Sequence, residues 1–494
     1  MKKQLFAVLS VCIILGLMLS SCEKVIPNSS SDSVSENQSS ELGGAESQTQ
    51  SQGQNQSQSG QNQVGDSSGQ SSSNKQNENS SDYEWEIVTS TASERNETSS
   101  KKQQSSQKPV SSTVSKPASS TTTTTSAATS SKAPVVNIPV TPISEDQYYG
   151  WKELEKKGTQ AEKKAYKLFA EKFGNYQKEV TFDFAITKQE VLRAYEYYRD
   201  DYPQHFWRGN SYNYTTGDNL VLKFSLSAML CGGDRAKIKA MDDKLNLSID
   251  KVLSKIKTSM SLIERERFIH DYIINNCKYD TTYKAPNAHN MYGVFVDGTA
   301  VCEGYTYAFQ HLARLVGIQC ITVKGELNGY NGWESHAWNM VKLDGEYYHV
   351  DVTSDDPVIS GISGGVLEFD YFNITEREVK KDHKISGNIV SVPSATATKY
   401  NFFNYYGLKV SSLTVDNFAK TFVFAANNSY KYASIKFADN ISLNDAKAFL
   451  SKNYKAIVTK ANSNMGKEVF KVTSRFSYME NPTFNTLFIA LSYK

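Results

Sequence analysis

The sequence lacks the features that mark several large classes of function. Neither an HExxH motif nor a CxxC pair occurs in it, so it implies no metal and no other cofactor. Lysine plus arginine number 54 against 52 aspartates and glutamates, a net charge of +2 that offers nothing to a nucleic-acid backbone. The apolar run from Leu5 to Leu19 falls short of the roughly 20 residues a spanning helix needs. From Glu23 to about Ser144 apolar residues almost vanish, apart from the island Trp85-Glu86-Ile87-Val88, and Ser, Gln, Asn, Thr and Gly take their place. Such a stretch cannot bury enough apolar surface to offset its chain entropy, so residues 22–145 are expected to form a disordered linker. At about 120 residues its r.m.s. span is about 60 Å and its stretched limit about 400 Å.

Ahead of the linker lie Lys2-Lys3, the apolar run and Leu19-Ser20-Ser21-Cys22. The order basic, apolar, small reads as a signal peptide over residues 1–21. It is similar to bacterial lipoprotein signals, which implies cleavage before Cys22 and diacylation of its thiol. Two acyl chains hold a protein stably on a membrane, so the chain is expected to be extracytoplasmic and lipid-anchored, with the linker presenting the rest within or beyond a cell wall.

About 350 residues remain, more than one core usually spans, and three parts are expected: 146–255, 256–390 and 391–494. In the first, Tyr148 to Phe173 is helical, Lys178 to Phe184 alternates as a strand, and Thr187-x-x-Glu190 is a capping box opening a helix toward Tyr198. A strand over Asn219–Leu226 and a helix over Arg235–Ile256 follow. His205 beside Trp207 reads as core or cap rather than as a ligand. In the last part, strands are expected near Thr421–Ala425, Ala433–Phe437, Val469–Phe476 and Leu487–Tyr493, with a helix over Leu443–Asn453. Its aromatics Phe402, Phe403, Tyr405 and Tyr406 are expected to serve the core before any sugar.

The middle part carries the chemistry. Ser261-Leu262-Ile263-Glu264 is a second capping box, and its helix runs to about Asn276. After the loop Gly298 to Val301, the apolar residues Tyr305, Phe309, Leu312, Ala313 and Val316 fall at helical spacing until Gly317. Cys302 then lies at a helix N-terminus, where unpaired N–H groups and the helix dipole favour a thiolate. Gly304, in the first turn, is read as leaving room for a substrate chain. Further on, Asp344-Gly345 is the preferred dipeptide of a two-residue type I′ turn between strands His336–Leu343 and Glu346–Thr353. That turn sets Leu343 opposite Glu346 and makes His336 and Asp351 diagonal neighbours on one face, about 7–8 Å apart by backbone. The opposite face, with Ala337, Val341, Leu343, Tyr348, Val350 and Val352, is apolar. A thiol nucleophile needs a base, and the base needs an acceptor, so Cys302, His336 and Asp351 fit a catalytic triad.

The run Ala300-Val301-Cys302-Glu303-Gly304-Tyr305, then His336-Ala337-Trp338-Asn339, then Tyr348-His349-Val350-Asp351-Val352-Thr353, resembles the transglutaminase-like superfamily over about residues 256–390. The resemblance implies an α+β, papain-like core, here with a helical N-terminal region and a small α/β C-terminal appendage. Bacterial members often have Trp where Ser354 stands. The chemistry implied is acyl transfer from a peptide or amide through an acyl-enzyme, which needs two donors for the developing oxyanion. One is the backbone N–H of Cys302; Tyr292 and Asn290 are candidates for the other. His383 has no partner at metal-ligand spacing, and Asp355-Asp356 before Pro357 reads as a solvated turn. With Cys12 in the signal, Cys22 lipidated and Cys302 free, at most one disulfide can form among Cys231, Cys277 and Cys320. The leading expectation is a monomeric, surface-anchored cysteine peptidase or amidase acting on protein or cell-wall peptide. A protein-crosslinking transglutaminase and a non-catalytic binding module are the alternatives.

Overall fold

Asp344 at φ 49° and Gly345 at φ 88° form the left-handed pair of a type I′ turn. Leu343 accordingly pairs with Glu346, Val341 with Tyr348 and Asn339 with Val350. Around this hairpin the computed structural model describes residues 36–39, 143–329, 332–358, 366–473 and 476–494. The expected signal peptide, Cys22 and most of the expected linker lie outside the described residues.

Strand β1 (Glu36–Ser39) falls within the linker stretch. The N-terminal region follows with α1 (Tyr149–Lys157), α2 (Gln160–Gly174), β2 (Glu179–Thr181), α3 (Lys188–Asp201), β3 (Ser211–Gly217), β4 (Leu220–Leu226) and α4 (Arg235–Leu253). Its antiparallel sheet runs β1-β3-β4-β2. The capping box at Thr187 opens α3 as expected, and Thr159 forms another at the start of α2. His205 is half-buried, bonded to the Tyr198 hydroxyl at 2.9 Å and stacked on Trp207, a packing role.

The middle region comprises α5 (Leu262–Asn276), β5 (Lys278–Tyr279), β6 (Thr299–Ala300), α6 (Cys302–Leu315), β7 (Gln319–Gly329), β8 (Gly332–Leu343), β9 (Glu346–Val350), α7 (Glu376–Val379) and β10 (His383–Ile385). Its antiparallel sheet runs β10-β7-β8-β9, and α6 packs across β7 and β8. This region shares one hydrophobic cluster with the N-terminal region, running from Tyr148 to Leu408. The seam is tied by the buried Arg314, whose Nη1 donates to the Asp201 carbonyl at 2.7 Å and whose Nε donates to that of Cys320 at 3.0 Å. Both faces of the hairpin are buried, against the expectation of one apolar face. Trp338 and Met340, on the face of His336, pack with Ile321, Val323, Tyr371 and Phe484 in a second core.

The C-terminal region holds α8 (Phe402–Tyr405), β11 (Lys409–Val410), α9 (Val415–Asn427), β12 (Tyr432–Phe437), α10 (Leu443–Asn464), β13 (Tyr478–Asn481) and β14 (Thr486–Ala490). Its sheet runs β11-β12-β14-β13 over a core of its own. The strand expected at Thr421–Ala425 is instead part of α9. Phe418, Ala419, Phe422 and Ala425 recur at helical spacing, and Thr414 caps the start, which together outweigh the strand preference of Thr421 and Val423. Helix α10 runs eleven residues past its expected end at Asn453. In the stretch expected as a strand at Val469–Phe476, the described residues make one bridge, Phe470 to Tyr493. Phe402 and Phe403 are buried, while Tyr405 is exposed.

Candidate active site

Helix α6 begins at Cys302, with Val301 as its extended N-cap. The Cys302 N–H therefore belongs to the first turn, whose donors have no acceptor within the helix. Gly304 is not the substrate opening it was expected to be. A Cβ there would lie 2.5 Å from the Ala288 carbonyl oxygen, so the glycine lets α6 press against the 288–290 loop.

From the hairpin, His336 Nε2 donates to Asp351 Oδ2 at 2.7 Å, as the diagonal register requires. Nδ1 is left for Cys302, which hydrogen-bonds the imidazole. Both side chains of the pair are buried, whereas the Cys302 side chain is half-buried on the wall of a cleft of about 540 Å³. Burial disfavours a charge on His336. The Asp351 carboxylate and the Cys302 sulfur outweigh it and raise the imidazole to about 10. Burial likewise works against the Asp351 charge, yet His336 and His383 hold that carboxyl far below its ordinary range. The structure thus brings the three expected residues together.

Asp351 has more partners than the sequence indicated. Oδ2 also accepts from Ser354 Oγ at 2.6 Å and from His383 Nε2 at 3.0 Å, while Oδ1 accepts from the backbone N–H groups of Thr353 and Ser354. Ser354 is thus a donor to the acid. His383, for which no partner was legible, is seated by β10 pairing with β7. His336, Asp351 and His383 form the one group among the described residues whose donor atoms all lie within 4.8 Å, close enough for an ion. Their facing atoms are already engaged with one another in hydrogen bonds.

Neither expected oxyanion donor lines the cleft. Tyr292 is buried and stacked on Phe206 at 5.3 Å, and Asn290 Oδ1 is occupied by the Tyr292 backbone N–H. Tyr279, on β5, does line it. Burial and the Cys302 sulfur push its phenol well above the ordinary range, so it remains a donor at neutral pH. Nothing in its spacing marked it, because β5 and β6 bring it beside α6 only through parallel pairing. Arg199, Lys324 and Glu303 also line the cleft, the first delivered by α3 of the N-terminal region.

Asp355 and Asp356 are not a solvated turn. Asp355 is fully buried against His270 Nε2 at 3.1 Å, and Asp356 accepts from the Tyr305 hydroxyl at 2.8 Å. All four described cysteines are free thiols. Burial pushes the Cys277 thiol up to about 12 and that of Cys320 higher still, so both are inert at neutral pH.

Residues 250–352 match the family model described as Transglutaminase-like superfamily. That segment contains Cys302, His336 and Asp351 and the α+β elements that carry them, so the middle region holds a transglutaminase-like domain. Kyphoscoliosis peptidase of Mus musculus is 29% identical over 147 residues, 24% of this chain and 22% of that protein. Its Homo sapiens counterpart is 27% identical over 157 residues, 26% of this chain and 24% of that protein. The chain thus matches less than a quarter of the length of either relative. A crystal structure of a TGase is similar at 14% identity over 37% of this chain and 52% of that one, with a TM-score of 0.22, an overlap too slight to argue from. No helix among the described residues is long and apolar enough to cross a membrane.

Proposed function

We propose that the chain is a thiol enzyme that cleaves peptide or amide bonds through an acyl-enzyme on Cys302. The observation that carries this reading is the bonded order Cys302, His336, Asp351, with the thiol at a helix start on a cleft wall. The Cys302 thiolate attacks the carbonyl carbon, and the oxyanion receives hydrogen bonds from the Cys302 backbone N–H and the Tyr279 hydroxyl. The His336 imidazolium, held by Asp351, gives its proton to the departing amine, and the bond to nitrogen breaks. Neutral His336 then takes a proton from water, whose oxygen attacks the thioester and frees Cys302. A lysine-type amine in place of water makes the same intermediate a transglutaminase. The signal-like N-terminus supports anchoring through lipid at Cys22, with surface or cell-wall peptides as substrates and no cofactor.

The test uses the full-length chain in detergent with wall peptides and a primary amine, followed by mass spectrometry. Loss of a leaving amine with gain of water is the expected result; gain of the added amine assigns transamidation. Unchanged peptides, together with Cys302 alkylating no faster than the exposed Cys231, overturn the enzymatic reading in favour of a binding module.

A further inference from the structure

We propose that His383 is a positioning residue for this chemistry: it shares the Asp351 carboxylate with His336 and sets how strongly that carboxylate holds the His336 proton. The proposal rests on Cys302 and His336 acting as the reacting pair.

Three donors converge on one oxygen, Asp351 Oδ2: His336 Nε2, Ser354 Oγ and His383 Nε2. His383 is the most firmly seated of them. Its side chain is fully buried, its ring lies edge-on to Trp338 at 5.0 Å, and Trp338 in turn stacks on His336 at 5.9 Å. Behind it the support continues. His383 Nδ1 donates to Asp382 Oδ1 at 2.7 Å, Asp382 Oδ2 accepts from the Tyr371 hydroxyl at 2.7 Å, and the Tyr371 ring packs edge-on against Phe484 at 4.8 Å. Phe484 lies in the β13–β14 turn, so the C-terminal region closes the back of the catalytic sheet.

An imidazole with a carboxylate on each nitrogen is a donor at both, and therefore a cation. Two histidines 5.4 Å apart then compete for one acid, and the charge of His383 opposes that of His336. The groups facing His383 are the carboxylates of Asp351 and Asp382, the imidazoles of His336 and His349, and the Tyr371 phenol. Among them His349 is neutral, accepting at Nδ1 from Trp338 Nε1 and held down to about 3 by burial, by His383 and by Lys380. Asp351 therefore divides its hold between two cations, and His336 gives up its proton more readily than it would beside an unshared acid.

The substitution His383→Gln keeps a neutral donor and removes the competing charge. Imidazole NMR of the full-length chain, with His336 assigned through His336→Ala, should show the His336 titration moving up by roughly one pH unit. A folded His383→Gln protein whose His336 titrates as in the parent overturns the proposal, since a merely structural role alters stability and leaves that titration in place. The unsubstituted chain gives a second test that needs no variant to fold. With 15N-labelled histidine, His383 should carry protons on both ring nitrogens at pH 6, and a single neutral tautomer there overturns the proposal. Failure of the underlying reading looks different: parent Cys302 then labels no faster than Cys231, whatever stands at 383.

Discussion

Two sets of carboxylates in this protein are equally hidden from water and behave in opposite ways. Asp351, bonded to His336, is 1% exposed; Glu368, Asp370 and Glu266 are 1%, 0% and 0% exposed. Yet Asp351 is held far below the ordinary range, whereas Glu368 is driven well above it, Asp370 to about 7 and Glu266 to about 8. Burial raises all four, so it does not decide the outcome. Donors do. Asp351 receives five hydrogen bonds, two from histidines, while Glu368 Oε2 and Glu266 Oε1 have no partner at all. Asp370 is intermediate, with Asn481 and Thr486 donating to it from the C-terminal region. The comparison separates an acid held charged by the donors around it from acids whose neutral form suits the core.

The largest effect should come from Asp351→Ala. It strands His336, His383 and Ser354 in a buried site, so urea unfolding should show a loss of about 3–5 kcal/mol, and turnover should disappear. A variant as stable as the parent would put Asp351 with the neutral acids. Next is Asp370→Ala, which removes the acceptor of Asn481 and Thr486 and should cost about 1–3 kcal/mol. Limited proteolysis should then release the C-terminal region sooner than in the parent; unchanged kinetics would deny Asp370 its place in the seam.

A smaller effect lies in pH dependence. An acid whose folded pKa exceeds its unfolded value binds more protons folded than unfolded between the two. Its contribution is whole below about pH 4 and is lost as pH climbs through about 8 for Glu266. Replacing Glu266 by Gln should therefore change Tm little at pH 5 and flatten its decline between pH 5 and 9. A parallel decline in parent and variant would contradict a neutral Glu266. The smallest effect belongs to Glu368→Gln, an isostere of the protonated acid. At pH 4, where the acid carries its proton when folded and largely keeps it when unfolded, the change should shift stability by less than about 1 kcal/mol, and a loss near that of Asp351→Ala would collapse the distinction between the two sets.

How much of this was legible depends on the distance over which each contact acts. The type I′ turn, the capping boxes at Thr187 and Ser261 and the diagonal from His336 to Asp351 were all readable. Each is settled by residues close in sequence, through backbone preference and strand register. Helix α9 was legible in principle, since its helical spacing was there to be weighed against its β-branched residues. Tyr279 and His383 were not. The first reaches the cleft through a two-residue parallel pairing, the second through pairing of β10 with β7 across more than fifty residues.

The sequence by itself determined the placement of a thiol at a helix start and of a base and an acid on one face of a hairpin, because local sterics and a period of two leave few alternatives. Only the tertiary structure decided how those groups are charged and held. Proton affinity depends on which donors and charges converge on a buried atom. For Asp351 these come from β8, from β10 and from the turn after β9, and Phe484, from the far end of the chain, seals the core behind them.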